Sequence, residues 1–260
     1  MATVQKSQHS HFFLLVGCIV HLSNFCSTTT AQFDYFKLVL QWPNSYCSLK
    51  TTHCPRTRLP SQFTIHGLWP DNKSWPLSNC RDTSADVLKI TDKGLIQDLA
   101  VHWPDLTRRQ RKVPGQKFWV TQWKKHGACA LPMYSFNDYF VKALELKKRN
   151  NVLDMLSRKS LTPGDQRVDV SDVNGAITKV TGGIAILKCP EGYLTEVIIC
   201  FDPSGFPVID CPGPFPCKDD PLEFPSSVKK KVPRSVSIGG STLGLEKGAS
   251  FSLTNTNTGY

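Results

Sequence analysis

The apolar pattern early in the chain has the two-residue period of strands. Asp34 to Trp42 (Asp-Tyr-Phe-Lys-Leu-Val-Leu-Gln-Trp) is aromatic and β-branched enough for a central strand. From Gln62 to Leu68, Phe63 and Ile65 fall on one side of an extended chain and Thr64 and His66 on the other. His66 is thus predicted on the open face of a strand whose other face feeds the core. A helical period then takes over. Thr91 to Trp103 predicts a helix with Leu95, Ile96, Leu99 and Trp103 on one stripe, ended by Pro104. After a basic loop from Arg108 to Pro114, a second helix begins near Gln116. It places Phe118, Gln122, Lys125 and His126 on one face, Trp119 and Trp123 on the adjoining stripe, and Gly127 at its end. Ser135 to Arg158 is the longest helical pattern, with Phe136, Tyr139, Phe140, Ala143 and Leu144 buried and Lys142, Lys147, Lys148 and Arg149 towards solvent. Tyr193 to Phe201 and Phe206 to Cys211 read as a hairpin across Asp202-Pro203-Ser204-Gly205, which suits a type I turn. Strands and helices in this mixture predict an α+β domain, a central antiparallel sheet flanked by helices.

The two ends of the chain have another character. Residues 1–31 read as a secretion signal: Lys6 is the one charge, an apolar run extends from Phe12 to Leu22, and Thr29-Thr30-Ala31 offers a small-residue cleavage site. That run is shorter than the ~20 residues a membrane span needs, and the mature form is expected off the membrane, in the extracellular space. Residues 218–260, rich in Ser, Thr, Gly and Lys, hold too few large apolar side chains for a core and are expected to form a disordered tail. Between them, residues 32–217 suffice for one domain. They carry 24 Lys and Arg against 17 Asp and Glu, a net charge of +7. That balance suits a polyanion without specifying one. Eight of the ten cysteines lie there, an even count that in a secreted chain implies four disulfides, with a connectivity that spacing leaves open. Asn72-Lys73-Ser74 is a glycosylation acceptor, so that edge should be exposed.

The chemistry concentrates in two segments. Ile65-His66-Gly67-Leu68-Trp69-Pro70 sets one histidine beside tryptophan and glycine. Phe118-Trp119-Val120-Thr121-Gln122-Trp123-Lys124-Lys125-His126-Gly127-Ala128-Cys129 sets a second beside a lysine. Two imidazoles and an ammonium form a minimal kit for metal-free RNA cleavage: one ring takes the 2′-hydroxyl proton, the other protonates the leaving 5′-oxygen, and the cation stabilises the phosphorane. Imidazole suits both tasks because its ordinary pKa, about 6.5, populates both forms near neutrality. The remaining histidines of the mature chain, His53 and His102, have no evident partner for such work.

Both segments resemble the active-site segments of the ribonuclease T2 family, in its plant branch, and the resemblance covers residues 33–217. It implies a ribonuclease T2-like α+β fold with the bridges Cys47–Cys54, Cys80–Cys129, Cys189–Cys217 and Cys200–Cys211. It also implies His126 as general base, His66 as general acid and Lys125 on a phosphate oxygen, with Gln41, Phe118 and the Trp103-Pro104-Asp105 corner for base binding. Phe118 either stacks on a base or packs in the core, and Trp42 and Trp69 frame the cleft. Products would be a 2′,3′-cyclic phosphate and then a 3′-phosphate, with no metal or cofactor. Two positions depart from the family pattern: Gln122 stands where glutamate is usual, and Thr121 where some members have a histidine. Gln122 still offers phosphate a hydrogen bond but cannot ionise, and Thr121 weakens contacts beyond the scissile bond. Other readings remain. His126 and Cys129 are three apart, but no further ligands complete a metal site; a catalytically weakened RNA-binding protein on the same scaffold is the other rival. The expected partner is RNA and the expected state a monomer, with a protein recognition partner if the chain serves self-incompatibility rather than housekeeping or defence.

Overall fold

The computed structural model describes residues 33–56, 58–80, 88–109, 116–218 and 221–229. The secretion signal, part of the basic loop and the tail beyond Lys229 lie outside the described residues.

The chain runs through strand β1 (Tyr35–Gln41), helix α1 (Pro43–Ser48), β2 (Thr64–Asp71), α2 (Lys93–His102), α3 (Lys117–Lys125), α4 (Phe136–Arg149) and α5 (Val152–Ser157). It continues with β3 (Arg167–Val168), α6 (Val170–Thr181), β4 (Ile186–Lys188), β5 (Glu196–Phe201), β6 (Val208–Ile209) and β7 (Leu222–Glu223). The main sheet is antiparallel, in the order β2-β1-β5-β4, with β6 pairing the far end of β5. The predicted central strand is thus β1, hydrogen-bonded on both sides. Its alternation sends Phe36, Leu38 and Leu40, all buried, into the core under the helices. Lys37, Val39 and Gln41 point to the other face.

β2 departs from a regular strand at one place, and that place holds His66. Val39 pairs with Gly67 but Leu40 pairs with Ile65, so His66 is an extra residue in a β-bulge. Ile65 and Leu68, three apart, both reach the core because the bulge absorbs the odd residue. The predicted division of Phe63 and Ile65 from His66 holds, while Thr64 is itself fully buried.

Helix α2 begins at Asp92, whose side chain accepts from the Leu95 N–H at 2.7 Å, and buries Leu99, with Trp103 at its C-terminal boundary; Leu95 and Ile96 are half-buried. Trp119 and Trp123 fix α3 to the core as expected. The long helix expected over Ser135 to Arg158 is two helices. Asn150 ends α4, and the Asn151 side chain caps α5 by accepting from the Asp154 N–H. Two of the lysines predicted to face water do not. Lys142 is buried against Phe206, 3.8 Å from the ring centre, and pairs with Glu145; Lys147 reaches Gln62 and His102. Both stems cover apolar surface while the heads find partners.

The domain does not close at Cys217. β7 pairs with β3, Phe224 is fully buried against Trp42 and Phe63, and the Trp42 indole N–H donates to Pro225 O at 2.8 Å. Residues 221–229 therefore belong to the domain rather than to the tail; one buried aromatic and a strand pair outweigh the polar composition of the segment. Four disulfides form: Cys47–Cys54, Cys80–Cys129, Cys189–Cys217 and Cys200–Cys211.

Candidate active site

Trp69 stands at the centre of the candidate site. Its ring lies edge-on to His66, centroids 5.3 Å apart, and is stacked on His126 at 4.8 Å with 24° between the planes. The two imidazole centres are therefore separated by no more than the sum of those distances, about 10 Å. Gly67 makes this possible, since a Cβ there would collide with the Trp69 indole. The nearby Lys37 and Lys188 ammonium groups also face that indole.

The two histidines sit in different electrostatic settings. His66 is 36% exposed, and its Nδ1 lies 2.5 Å from Glu196 Oε1; Glu196 Oε2 in turn lies 3.1 Å from Lys188 Nζ. Burial opposes ionisation of Glu196, but the hydrogen bond and charge attraction from His66, with Lys188 beside them, hold the carboxyl below its usual range. An ionised Glu196 accepts the Nδ1 proton, which fixes the ring and leaves Nε2 as its free nitrogen. His126 is the opposite case. Burial first, then Lys125, His66 and Lys37, push it down to about 4, so it is neutral at physiological pH. Its Nδ1 is buried without a hydrogen-bond partner among the described residues.

A cleft of about 490 Å³ opens beside His66. Gln41, Asp105, Phe118, Thr121 and Gln122 all line it, so the residues named for base and phosphate contact converge with His66. Phe118 lines the cleft and also packs against the core. Gln122 Oε1 is buried and has no hydrogen-bond partner among the described residues, and Thr121 is exposed, its hydroxyl donating to Lys117 O. His126 and Lys125 do not line this cleft. Helix α3 stops at Lys125 and His126 leaves helical geometry (φ −130°, ψ −50°), so the single face predicted for Phe118, Gln122, Lys125 and His126 is broken at its end. That turn swings His126 onto Trp69. Gly127 follows with no room for a side chain between Trp123 and Tyr139, and Cys129, bonded to Cys80, ties the segment down.

Sequence reasoning missed two participants. Glu196 passed as part of a hairpin strand, although it is the one charged residue in Glu-Val-Ile-Ile-Cys-Phe, all six of which are buried. A carboxylate in an apolar strand was the available signal. Trp69 was expected to frame the cleft but instead touches both imidazoles. Asn72, the sequon residue, is half-buried and accepts from the Asp34 N–H. Among the described residues no group of three or more His, Cys, Asp or Glu side chains could hold a metal ion.

Comparison with known proteins shows the family. The model of the Ribonuclease T2 family matches residues 33–211. Ribonuclease S-2 of Antirrhinum hispanicum is 97% identical over 231 residues, 89% of this chain and 98% of the relative. Ribonuclease S-2 of Nicotiana alata is 36% identical over 217 residues, 83% of this chain and 96% of the relative. Among solved structures, the self-incompatibility-associated SF11-RNase of Nicotiana alata superposes with a TM-score of 0.67 at 34% identity, over 74% of this chain and 99% of its own. On its family match, its close relatives and its fold, this chain belongs to the Ribonuclease T2 family.

Proposed function

We propose that the protein is a secreted, metal-independent endoribonuclease that cleaves single-stranded RNA by attack of the ribose 2′-hydroxyl on the adjacent phosphodiester. The observation that carries this reading is the pair of imidazoles on Trp69 with opposed charge settings. His126, neutral through burial, accepts the 2′-hydroxyl proton. His66, oriented by Glu196, delivers a proton from Nε2 to the departing 5′-oxygen. Lys125 stabilises the charge on the phosphorane oxygens. The first product is a 2′,3′-cyclic phosphate, which water opens to a 3′-phosphate with the two histidines exchanging roles. Gln41 and Phe118 receive the base of the leaving nucleoside, and stacking on Phe118 favours weak sequence preference.

We assign the chain to the stylar self-incompatibility ribonucleases rather than to housekeeping ones. The names of its relatives and the net charge of +7 over residues 32–217 support this. Gln122, in place of the family's usual glutamate and with its oxygen unpartnered, supports one competing reading, a weakened enzyme that still binds RNA. Purified protein incubated with yeast RNA decides between them. Cleavage to cyclic phosphates in EDTA, reduced at least about 100-fold by either His66→Ala or His126→Ala, is expected; intact RNA, or loss of activity in EDTA alone, overturns the proposal.

A further inference from the structure

The cleft beside His66 holds more positive charge than bond cleavage needs. Arg56, Arg108, Arg109 and Lys117 all line it, against one carboxylate, Asp105. None of the four is required by the scheme above, whose cation is Lys125. Asp105 is occupied locally: its Oδ1 accepts from the Thr107 N–H and hydroxyl at 3.0 and 2.7 Å, and its Oδ2 lies 3.4 Å from Arg108 Nε. It can neutralise only one of the four.

Arg56 stands apart from the others. It follows the Cys47–Cys54 loop, and its Nε is buried without a hydrogen-bond partner among the described residues. Burial pushes its guanidinium down from its usual range, and Asp105 opposes that only in part. Arg56 nevertheless lines the cleft, and the guanidinium fork of N–H donors matches the oxygens of a phosphate. Its place in the cleft is also defined. Burial raises the Tyr46 phenol, and the carboxylates of Asp105 and then Glu196 add to that. Tyr46 lines the same cleft as His66, Asp105, Arg56 and Arg108.

We propose that Arg56, with Arg108 and Lys117, forms a second phosphate subsite in the cleft beside His66 that takes the phosphate on the 3′ side of the leaving nucleoside. The ligand class is a single-stranded oligonucleotide with at least two phosphates, one at the histidines and one at Arg56. The volume of about 490 Å³ is within the range of clefts that enclose a nucleotide-sized ligand. The direction of the strand rests on the assignment of His66 as the acid, because that assignment sends the leaving nucleoside into this cleft.

Non-cleavable deoxynucleotides separate the subsite from catalysis. Titration of the full protein with dUpdU, dUpdUp and pdUpdU should give about tenfold tighter binding of dUpdUp than of dUpdU, with no comparable gain for pdUpdU. Arg56→Gln should bring the dUpdUp-to-dUpdU ratio close to one, and Arg56→Lys should retain part of it. If Arg56→Gln does not fold, Lys117→Gln at the exposed start of α3 reads the same ratio and must lower it. A wild-type ratio near one, a ratio indifferent to these substitutions, or a gain for pdUpdU instead of dUpdUp overturns the proposal. A protein that shows the ratio but leaves RNA intact keeps the subsite and refutes the catalytic reading.

Discussion

Glu196 illustrates what one residue does when a sheet places it. Its carboxylate is buried, and the Lys188 ammonium and the His66 ring on either side make its charge tolerable there. Replacing it with Gln keeps the shape and removes the anion that compensates a protonated ring. Glu196→Gln should lower kcat by about 10- to 100-fold with little change in KM, because the ring loses the partner that orients it. On the proposed mechanism the acid limb of the rate profile reports His126. Its imidazole must be neutral to act, so kcat/KM should fall as pH drops through about 4 rather than near 6.5. Gln122→Glu puts a carboxylate one helical turn before His126, favours the imidazolium form and should move that limb upward. A limb indifferent to Gln122→Glu would remove residue 122 from the site. The same shift affects stability. The unfolded chain binds the His126 proton below about 6.5 and the folded protein only below about 4, so this group erodes stability as pH falls across that window and no further beneath it.

Among the elements, the bulge in β2 and the end of α3 bring the histidines together. Regular alternation places His66 on the open face, and the two-residue period made that legible. The extra residue that lets Leu68 rejoin the core was not, since it depends on pairing with β1. Helix α3 was legible from its tryptophan stripe, but its stop at Lys125 was placed one residue late, and that residue is His126, the proposed base. The Cys80–Cys129 bridge holds the segment from outside, closing a loop with a sequence separation of 49. Loop entropy of that size corresponds to about 4 kcal/mol. The double variant Cys80→Ser/Cys129→Ser should therefore melt about 10 °C lower and lose activity at temperatures where it is still folded. Unchanged turnover in the folded variant would show that His126 is held without the bridge. The division between α4 and α5 was missed because both flanks continue the apolar period; only paired asparagines, one ending and one capping, mark the break.

For the whole molecule, the segment after Cys217 gives the sharpest test. Phe224 fills a space between Trp42 and Phe63 from a stretch whose composition reads as tail. Phe224→Ala should destabilise the protein by about 3–5 kcal/mol in chemical denaturation, whereas a true tail position would register almost nothing. Sequence alone determined the active-site vocabulary, the central strand, the tryptophan-bearing helix and the even count of cysteines. Those depend on residue identity and on periods of two or 3.6, which neighbours along the chain suffice to express. It could not determine that Glu196 from β5 meets His66 from β2, that Trp69 stacks on a ring 57 positions later, or that residues 221–229 complete the core. Such contacts are made by segments distant in sequence, and each charge state follows from burial, which exists only once those segments have packed.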